Sequence, residues 1–285
     1  MARVAAVQLA PVVGRFSENV DAATDAITRS IAQGADIVVL PELSTSGYVF
    51  DSVAEARSLA IRANDELFDR WALLAATRPD CVIVVGFAEL GNDDLLYNSA
   101  AVITAAGVQG VYRKVHLWNE EKRFFTAGSS VPLTVATAHG VLGVMICYDL
   151  EFPEWTRLAA LAGVELLAVP TNWPLMEKPA EERLAEIQIA MAAARVNRMA
   201  IACADRSGIE RGVAWSEGTV FIGADGWIVS EVGAGLGTAW AEFDAALSRD
   251  KQLTALSHVF GDRFPHLYGP LVSPPPVSPP PVSGH

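Results

Sequence analysis

Three segments of this chain place a reactive side chain just after a strand, and in two of them apolar sequence gives way to polar at that point. In GVMICYDLEFPEW (residues 143–155) an apolar run leads into Cys147, and Tyr148, Asp149 and Glu151 follow. A thiol at the end of a buried strand, just before a turn, has the placement of a nucleophile elbow. The plainer reading is a buried structural cysteine, the usual fate of a free thiol. Cys81 (in CVIVV) and Cys203 (in AIACA) fit that reading, whereas polar neighbours set Cys147 apart. In LPELSTSGY (residues 40–48) Glu42 follows a β-branched stretch directly. Carboxylates at strand ends in α/β folds often face a crevice; a surface glutamate at a loop entrance is the alternative. In YRKVH (residues 112–116) Lys114 and Arg113 follow a strand. Adjacent cations are common on surfaces, so this segment alone is a weak signal.

Other chemistries find little support. The chain has no Gly-x-Ser-x-Gly, no Walker loop and no His/Cys spacing suited to zinc. GAGLG at 233–237 lacks the helix and acidic partner of a dinucleotide fingerprint. Neither a metal nor an organic cofactor is expected. With 21 Lys plus Arg against 33 Asp plus Glu, the net charge of -12 would repel a phosphate backbone, so no nucleic-acid partner is expected. The odd count of 3 cysteines is no disulfide framework and points to a reducing, cytoplasmic compartment. MARVAAVQLAPVVG reads as a first strand and not as a signal peptide. No apolar run reaches the roughly 18 residues of a membrane span, so no membrane partner is expected.

Elements must position these groups. The 285 residues, 51% apolar and 19% charged, suit a globular chain with a sizeable core. Val4–Leu9, Ile37–Leu40, Cys81–Gly86, Val141–Ile146, Leu166–Val169 and Ala200–Ala204 read as strands. Residues 97–113 read as a strand pair turning at Ala105–Gly107, and Thr219–Gly223 with Trp227–Glu231 as a hairpin turning at Asp225-Gly226. Helices are expected after Ser17 as cap, after Asn64 as cap, from Pro153, and over Pro179–Arg198, where Glu181 and Glu182 at one end and Arg195 and Arg198 at the other suit the helix dipole. This alternation implies a layered α/β domain over residues 1–245, with an extension at 246–270. The stretch 271–285 holds two VSPPP units and is expected to be extended or disordered.

Taken in order, LPELSTSGY, YRKVHLWNEEKRFFTAG and GVMICYDLEFPEW resemble the nitrilase superfamily of carbon–nitrogen hydrolases. LAVPTNWP, ARVNRMAIACADRSG and the opening VAAVQLAPVVGRFSENV resemble it too, so the likeness spans about residues 2–245. It implies a four-layer α-β-β-α sandwich, a single domain, and a Glu-Lys-Cys catalytic set falling on Glu42, Lys114 and Cys147. A second glutamate falls on Glu121, with Glu120 adjacent. It further implies oxyanion or substrate-binding roles for Tyr148, Glu151, Asn172 and Trp173, and no cofactor.

An ordinary thiol, with a pKa near about 8.5, is only a few per cent thiolate at about pH 7, so it needs a base. Glu42 is expected to take the thiol proton and return it to departing ammonia. Lys114 and the N–H of Tyr148 would hold the oxyanion. His116, near Lys114, is a rival base, although bracing the lysine loop is the role expected of it. Nitrilases proper commonly carry Cys-Trp-Glu; Cys147-Tyr148-Asp149 resembles the amidase and carbamoyl-hydrolase branches. The expected substrate is therefore a small primary amide, neutral or cationic because Glu151 and Glu154 follow the nucleophile. A nitrile or N-carbamoyl substrate is the alternative within the superfamily. An ammonia-supplying subunit of a synthetase and a catalytically silent binding protein are the alternatives of other classes. The resemblance implies a homodimer or larger homo-oligomer. The stripe Leu184, Ile187, Met191 and Ala194 is expected to serve the core, leaving Ala190, Ala192 and Ala193 to permit close helix approach.

Overall fold

The β-branched runs form two six-stranded sheets. In the first, β1 (Ala2–Gln8), β2 (Ile37–Val39) and β3 (Val82–Leu90) are parallel and central. The antiparallel strands β4 (Leu96–Thr104) and β5 (Gly107–Arg113) extend one edge. In the second sheet, β6 (Leu133–Thr137) pairs antiparallel with β7 (Gly140–Val144). Parallel β8 (Leu166–Pro170) and β9 (Ala200–Ala204) follow. A short hairpin, β10 (Ile209–Glu210) and β11 (Val213–Ala214), stands apart from both sheets. Antiparallel β12 (Val220–Ile222) and β13 (Ile228–Glu231) complete the second sheet. β14 (Gly237–Phe243) returns to the first, antiparallel to β1. This computed structural model describes residues 1–273.

Strand period explains the layers, because alternate side chains point to opposite faces. Val38, Leu40, Ile83, Val85 and Phe87 pack with α1 (Phe16–Ala32) and α3 (Glu66–Ala75) into one core cluster, the short α2 (Val53–Ser58) falling between these helices in the chain. The intervening residues Val39 and Val84 are equally buried, and on the opposite face β2 and β3 contact β8 of the other sheet. The helices α5 (Pro153–Leu161) and α6 (Ala185–Asn197) pack together, α6 also touching β9 and β12. The result is the α-β-β-α sandwich. Trp71 anchors the first helical layer: its ring is fully buried and its Nε1 donates to Thr24 Oγ1 at 2.9 Å.

Several elements differ from the sequence reading. α6 starts at Ala185 instead of Pro179, and Glu181 and Glu182 lie outside it. Lys178 wraps its ammonium onto the carbonyls of Pro179, Ala180 and Glu182, closing a separate turn there. Ala190 and Ala193 join Ile187 and Ala194 on the buried face, so most of the alanine surface expected to be free for a partner is used within the chain. α3 is capped by Asp65, which accepts from Leu67 N, and not by Asn64. α1 begins at Phe16 without a side-chain cap; Asn19 in its first turn instead ties both backbone groups of Val12. β6 and β14 lie outside the strands expected from sequence: β6 is only five residues and no long apolar run marks it, and Gly, Ala and Glu dilute the β signal of β14.

Met1–Asp250, through α7 (Ala245–Arg249), forms one compact unit and Lys251 onward a second. The second carries a small hairpin of β15 (Gln252–Thr254) and β16 (Ser257–His258). From residue 274 the proline-rich stretch lies outside the described residues. Among the described residues no helix is long and apolar enough to cross a membrane, and the three cysteines are free thiols.

Candidate active site

The segment after β2 is fixed by backbone. Leu40 N donates to Val84 O, and Ser44 N to Gly86 O. Gly86 makes this approach possible: a Cβ there would lie 2.6 Å from the Glu42 Cα and the Pro41 carbonyl oxygen. The chain then turns through Leu43 at φ 50°, which leaves Glu42 wholly buried.

Lys114 follows β5, where its N–H donates to Asn98 O at 2.8 Å and its carbonyl accepts from Gly128 N at 2.8 Å. A side chain at position 128 would collide with the Arg113 carbonyl at 2.2 Å, so a glycine is required there. Lys114 Nζ, fully buried, donates to Glu42 Oε1 at 2.8 Å and to Glu121 Oε1 at 2.7 Å. Glu121 opens the short helix α4 (Glu121–Phe124) and accepts from Trp118 N at 3.1 Å and from the Tyr48 hydroxyl at 2.6 Å. Glu120 instead lies on the surface, paired with Arg123 at 2.7 Å.

Cys147 stands three residues past β7. Ile146 is extended, and Cys147 itself turns to φ 49°, a left-handed conformation that costs a non-glycine residue of order 1 kcal/mol or more. A 3₁₀ turn over Cys147–Glu151 follows. The buried carboxylate of Asp149 holds this elbow, accepting from Ile146 N, His116 N and the Tyr112 hydroxyl, and pairing with His116 Nδ1 at 2.7 Å. His116 also stacks on Phe152 at 3.7 Å. These contacts make it a brace between the lysine loop and the elbow.

The other sequence candidates lie at varied depths. Asn172 and Trp173 follow β8 and are buried. Asn172 Nδ2 donates to the Glu42 carbonyl at 2.9 Å, and its own carbonyl lies 3.9 Å from Cys147 Sγ. Trp173 N donates to Asp205 Oδ1 at 3.0 Å. Tyr148 is half-buried, its ring edge-on to Trp118 at 4.8 Å. Glu151 is exposed as a residue, but its carboxyl is partly desolvated by its neighbours, and this, together with the charge of Glu186, raises its pKa. The structure thus brings Glu42, Lys114, Glu121, Cys147 and Asn172 together and leaves Glu151 at the surface.

Electrostatics define what the cluster can do. Burial pushes the Glu42 carboxyl up to about 7, with Lys114 opposing the rise and Glu121 adding to it. Burial also raises the Cys147 thiol well above its ordinary value; Glu42 adds to that rise and Lys114 opposes it. For Lys114, burial favours loss of the proton, but the Glu121 and Glu42 carboxylates outweigh it and raise its pKa. Near neutral pH the group is therefore a protonated thiol, a permanent ammonium and a carboxyl near its midpoint. Glu42 Oε2 is buried and has no hydrogen-bond partner. A base of this kind can receive a proton from the thiol as the sulfur attacks.

Sequence reasoning missed several supports. Asn98 donates to Glu42 Oε1 at 2.6 Å, and its signal was a polar Asn-Ser pair inside the apolar run of β4. Tyr48 lay within a quoted motif, yet its reach to Glu121 depends on the fold. Asp205, raised to about 7 by burial against the pull of three backbone N–H groups, braces the Asn172–Trp173 turn. A cleft of about 510 Å³ opens beside the cluster, with Tyr48 and Glu121 belonging to both.

Residues 3–252 match the family model described as carbon-nitrogen hydrolase. This chain belongs to the carbon–nitrogen hydrolase family. The hydrolase is 32% identical over 275 residues to a nitrilase of Pyrococcus abyssi, covering 94% of this chain and 99% of that one. It is 31% identical over 234 residues to an (R)-stereoselective amidase of a Pseudomonas species, covering 81% of each. Its fold matches the crystal structure of an amidase from a Nesterenkonia species with a TM-score of 0.77 at 25% identity, covering 95% of this chain and 96% of that one. A variant of that amidase carries the acetamide moiety of fluoroacetamide added covalently at its active-site cysteine. The present chain is thus a nitrilase-superfamily hydrolase with a cysteine nucleophile.

Proposed function

We propose that this hydrolase converts a small primary amide to carboxylate and ammonia through a thioester on Cys147, with Glu42, Lys114 and Glu121 as its partners. One observation carries the reading: Glu42 is buried, binds Lys114 and Asn98 through Oε1, and leaves Oε2 free in a cluster whose charges act on the Cys147 sulfur. Cys147 Sγ attacks the amide carbon while its proton passes to Glu42 Oε2. The C–S bond forms and the carbonyl π pair moves to oxygen. Lys114 has three N–H donors, and Glu42 and Glu121 use two. The third, with the N–H of Tyr148, serves the oxyanion. Glu42 returns its proton to nitrogen, the C–N bond breaks and ammonia leaves. Water then attacks the thioester as Glu42 takes a proton from it, the C–S bond breaks and the sulfur is reprotonated. No metal or organic cofactor enters these steps. Asn172 Oδ1, buried without a partner, suits an amide N–H of the substrate, with Trp173 alongside. Glu151 acts through charge, disfavouring anionic substrates.

The hydrolase is also proposed to act in a reducing, cytoplasmic setting and to self-associate, since Leu158, Leu161 and Val196 leave apolar surface on α5 and α6. The test is ammonia release from a panel of amides, carbamoyl compounds and nitriles, with Cys147→Ala and Glu42→Gln beside the native chain. An acyl mass on Cys147 and loss of at least about 10³-fold in kcat in Cys147→Ala are expected. Activity that survives in Cys147→Ala sinks the mechanism. A nitrile or carbamoyl compound as best substrate changes the branch. Ammonia release only with a copurifying synthetase points to a subunit, and binding without turnover to a silent relative.

A further inference from the structure

We infer that the acyl group accepted here is bulky and apolar, arylalkyl in class, and carries no free carboxylate. This rests on the amidase reading. A primary amide loses only ammonia, so the space beyond the reacting carbon serves the acyl side. The cleft of about 510 Å³ that Glu121 and Tyr48 line offers that space, and its volume falls within the range of about 300–1,000 Å³ typical of sites that enclose an extended organic ligand. Acetamide would leave most of it to water.

The cleft joins the reacting groups at two points. Tyr48 lines it and holds Glu121, while Trp118 lines it and packs on Tyr148, the residue after the nucleophile. Its walls include Phe124 and Trp215, and Trp215 meets Tyr48 edge-on at 5.3 Å. Arg206 fixes the Trp215 ring from 4.4 Å and is itself locked to Glu210 at 2.9 Å. The wall is therefore a rigid aromatic surface, suited to a ring or long alkyl chain.

Charge narrows the class. Arg123, a cation on the cleft wall, is paired with Glu120 at 2.7 Å. Asp51 is held by Arg211 at 3.0 Å, and Glu121 by Lys114. A substrate carboxylate would be placed beside these three acidic groups, with no unpaired cation among the described residues of the cleft wall to receive it.

The experiment compares kcat/KM for ammonia release from acetamide, phenylacetamide, 3-phenylpropanamide and succinamate. The arylalkyl amides are expected to exceed acetamide by at least about tenfold, mainly through KM, with succinamate below both. Phe124→Ala and Trp118→Ala should each shrink the ratio of 3-phenylpropanamide to acetamide severalfold. If acetamide or succinamate is best while Cys147→Ala still abolishes release, this inference is overturned and the amidase reading stands. If no amide releases ammonia, the amidase reading fails, and binding to Cys147→Ala followed by tryptophan fluorescence decides the cleft. Tighter binding of 3-phenylpropanamide than of succinamate then supports the apolar pocket; equal, weaker or absent binding overturns it.

Discussion

As the proposed base, Glu42 has to be ionised to take the Cys147 proton, and burial raises its carboxyl to about 7. Below that pH it is protonated and cannot act as base, so kcat/KM is expected to fall as the pH drops below about 7. A profile flat down to about 5, near the range of an ordinary glutamate, would contradict this assignment. Glu121 sharpens the test. Its charge raises Glu42, and it shares the Lys114 ammonium. Glu121→Gln removes the repulsion and leaves more of Lys114 to Glu42, so the acid limb should move to lower pH. Activity should also drop, because Lys114 and the Tyr48 hydroxyl lose an anchoring charge. An acid limb moving upward would show that Glu121 acts on Glu42 in another way. Of the proposed reactive residues, Glu42 and Cys147 were legible as polar junctions after apolar strands, whereas Lys114 after GVQGVYR was a weak signal until the order of the three segments was considered. Their hydrogen bonds were not legible, since Asn98 and Tyr48 meet Glu42 and Glu121 from distant parts of the chain.

At the scale of elements, the site depends on the close approach of β3 to the segment after β2. A methyl group at Gly86 would meet backbone atoms of Pro41, Glu42 and Leu43 at 2.6–2.7 Å, and backbone cannot swing aside as a flexible side chain can. Gly86→Ala is therefore expected to cost about 1–3 kcal/mol of stability, read by denaturant unfolding. It should also lower kcat in the fraction that remains folded, because Glu42 is displaced. Stability and kcat both unchanged would show that the two strands can part without cost. The elements richest in Val and Ile were legible from periodicity, and Pro153 marked its helix start. The end strands β6 and β14 were not, because β6 is short, β14 mixes in glycine, alanine and glutamate, and pairing with β7 and β1 is what holds them as strands. The early start assigned to α6 failed for a local reason: the Lys178 ammonium takes carbonyls that a helix would have used.

At the scale of the molecule, helices flank both sheets, and α5 and α6 leave Leu158, Leu161 and Val196 in solvent. Light scattering is expected to give at least twice the chain mass of 30.4 kDa. Leu158→Lys should shift the mass toward a single chain. A native chain that remains at 30.4 kDa across concentrations would refute self-association. The net charge of -12 works against association, so the proposed self-association should strengthen with salt.

The sequence by itself determined the strand cores, the polar junctions at Glu42 and Cys147, and the order in which Glu42, Lys114 and Cys147 occur. These are properties of neighbouring residues, and burial and turn chemistry act on neighbours. The tertiary structure decided the rest. It chose Glu121 over Glu120 by burying one carboxylate on Lys114 and leaving the other in solvent with Arg123. It tied His116 to Asp149, and it set Tyr48, Trp118 and Trp215 around one cleft. Charge shifts and cleft walls arise from groups far apart in the chain, and only the stacking of two sheets sets their distances.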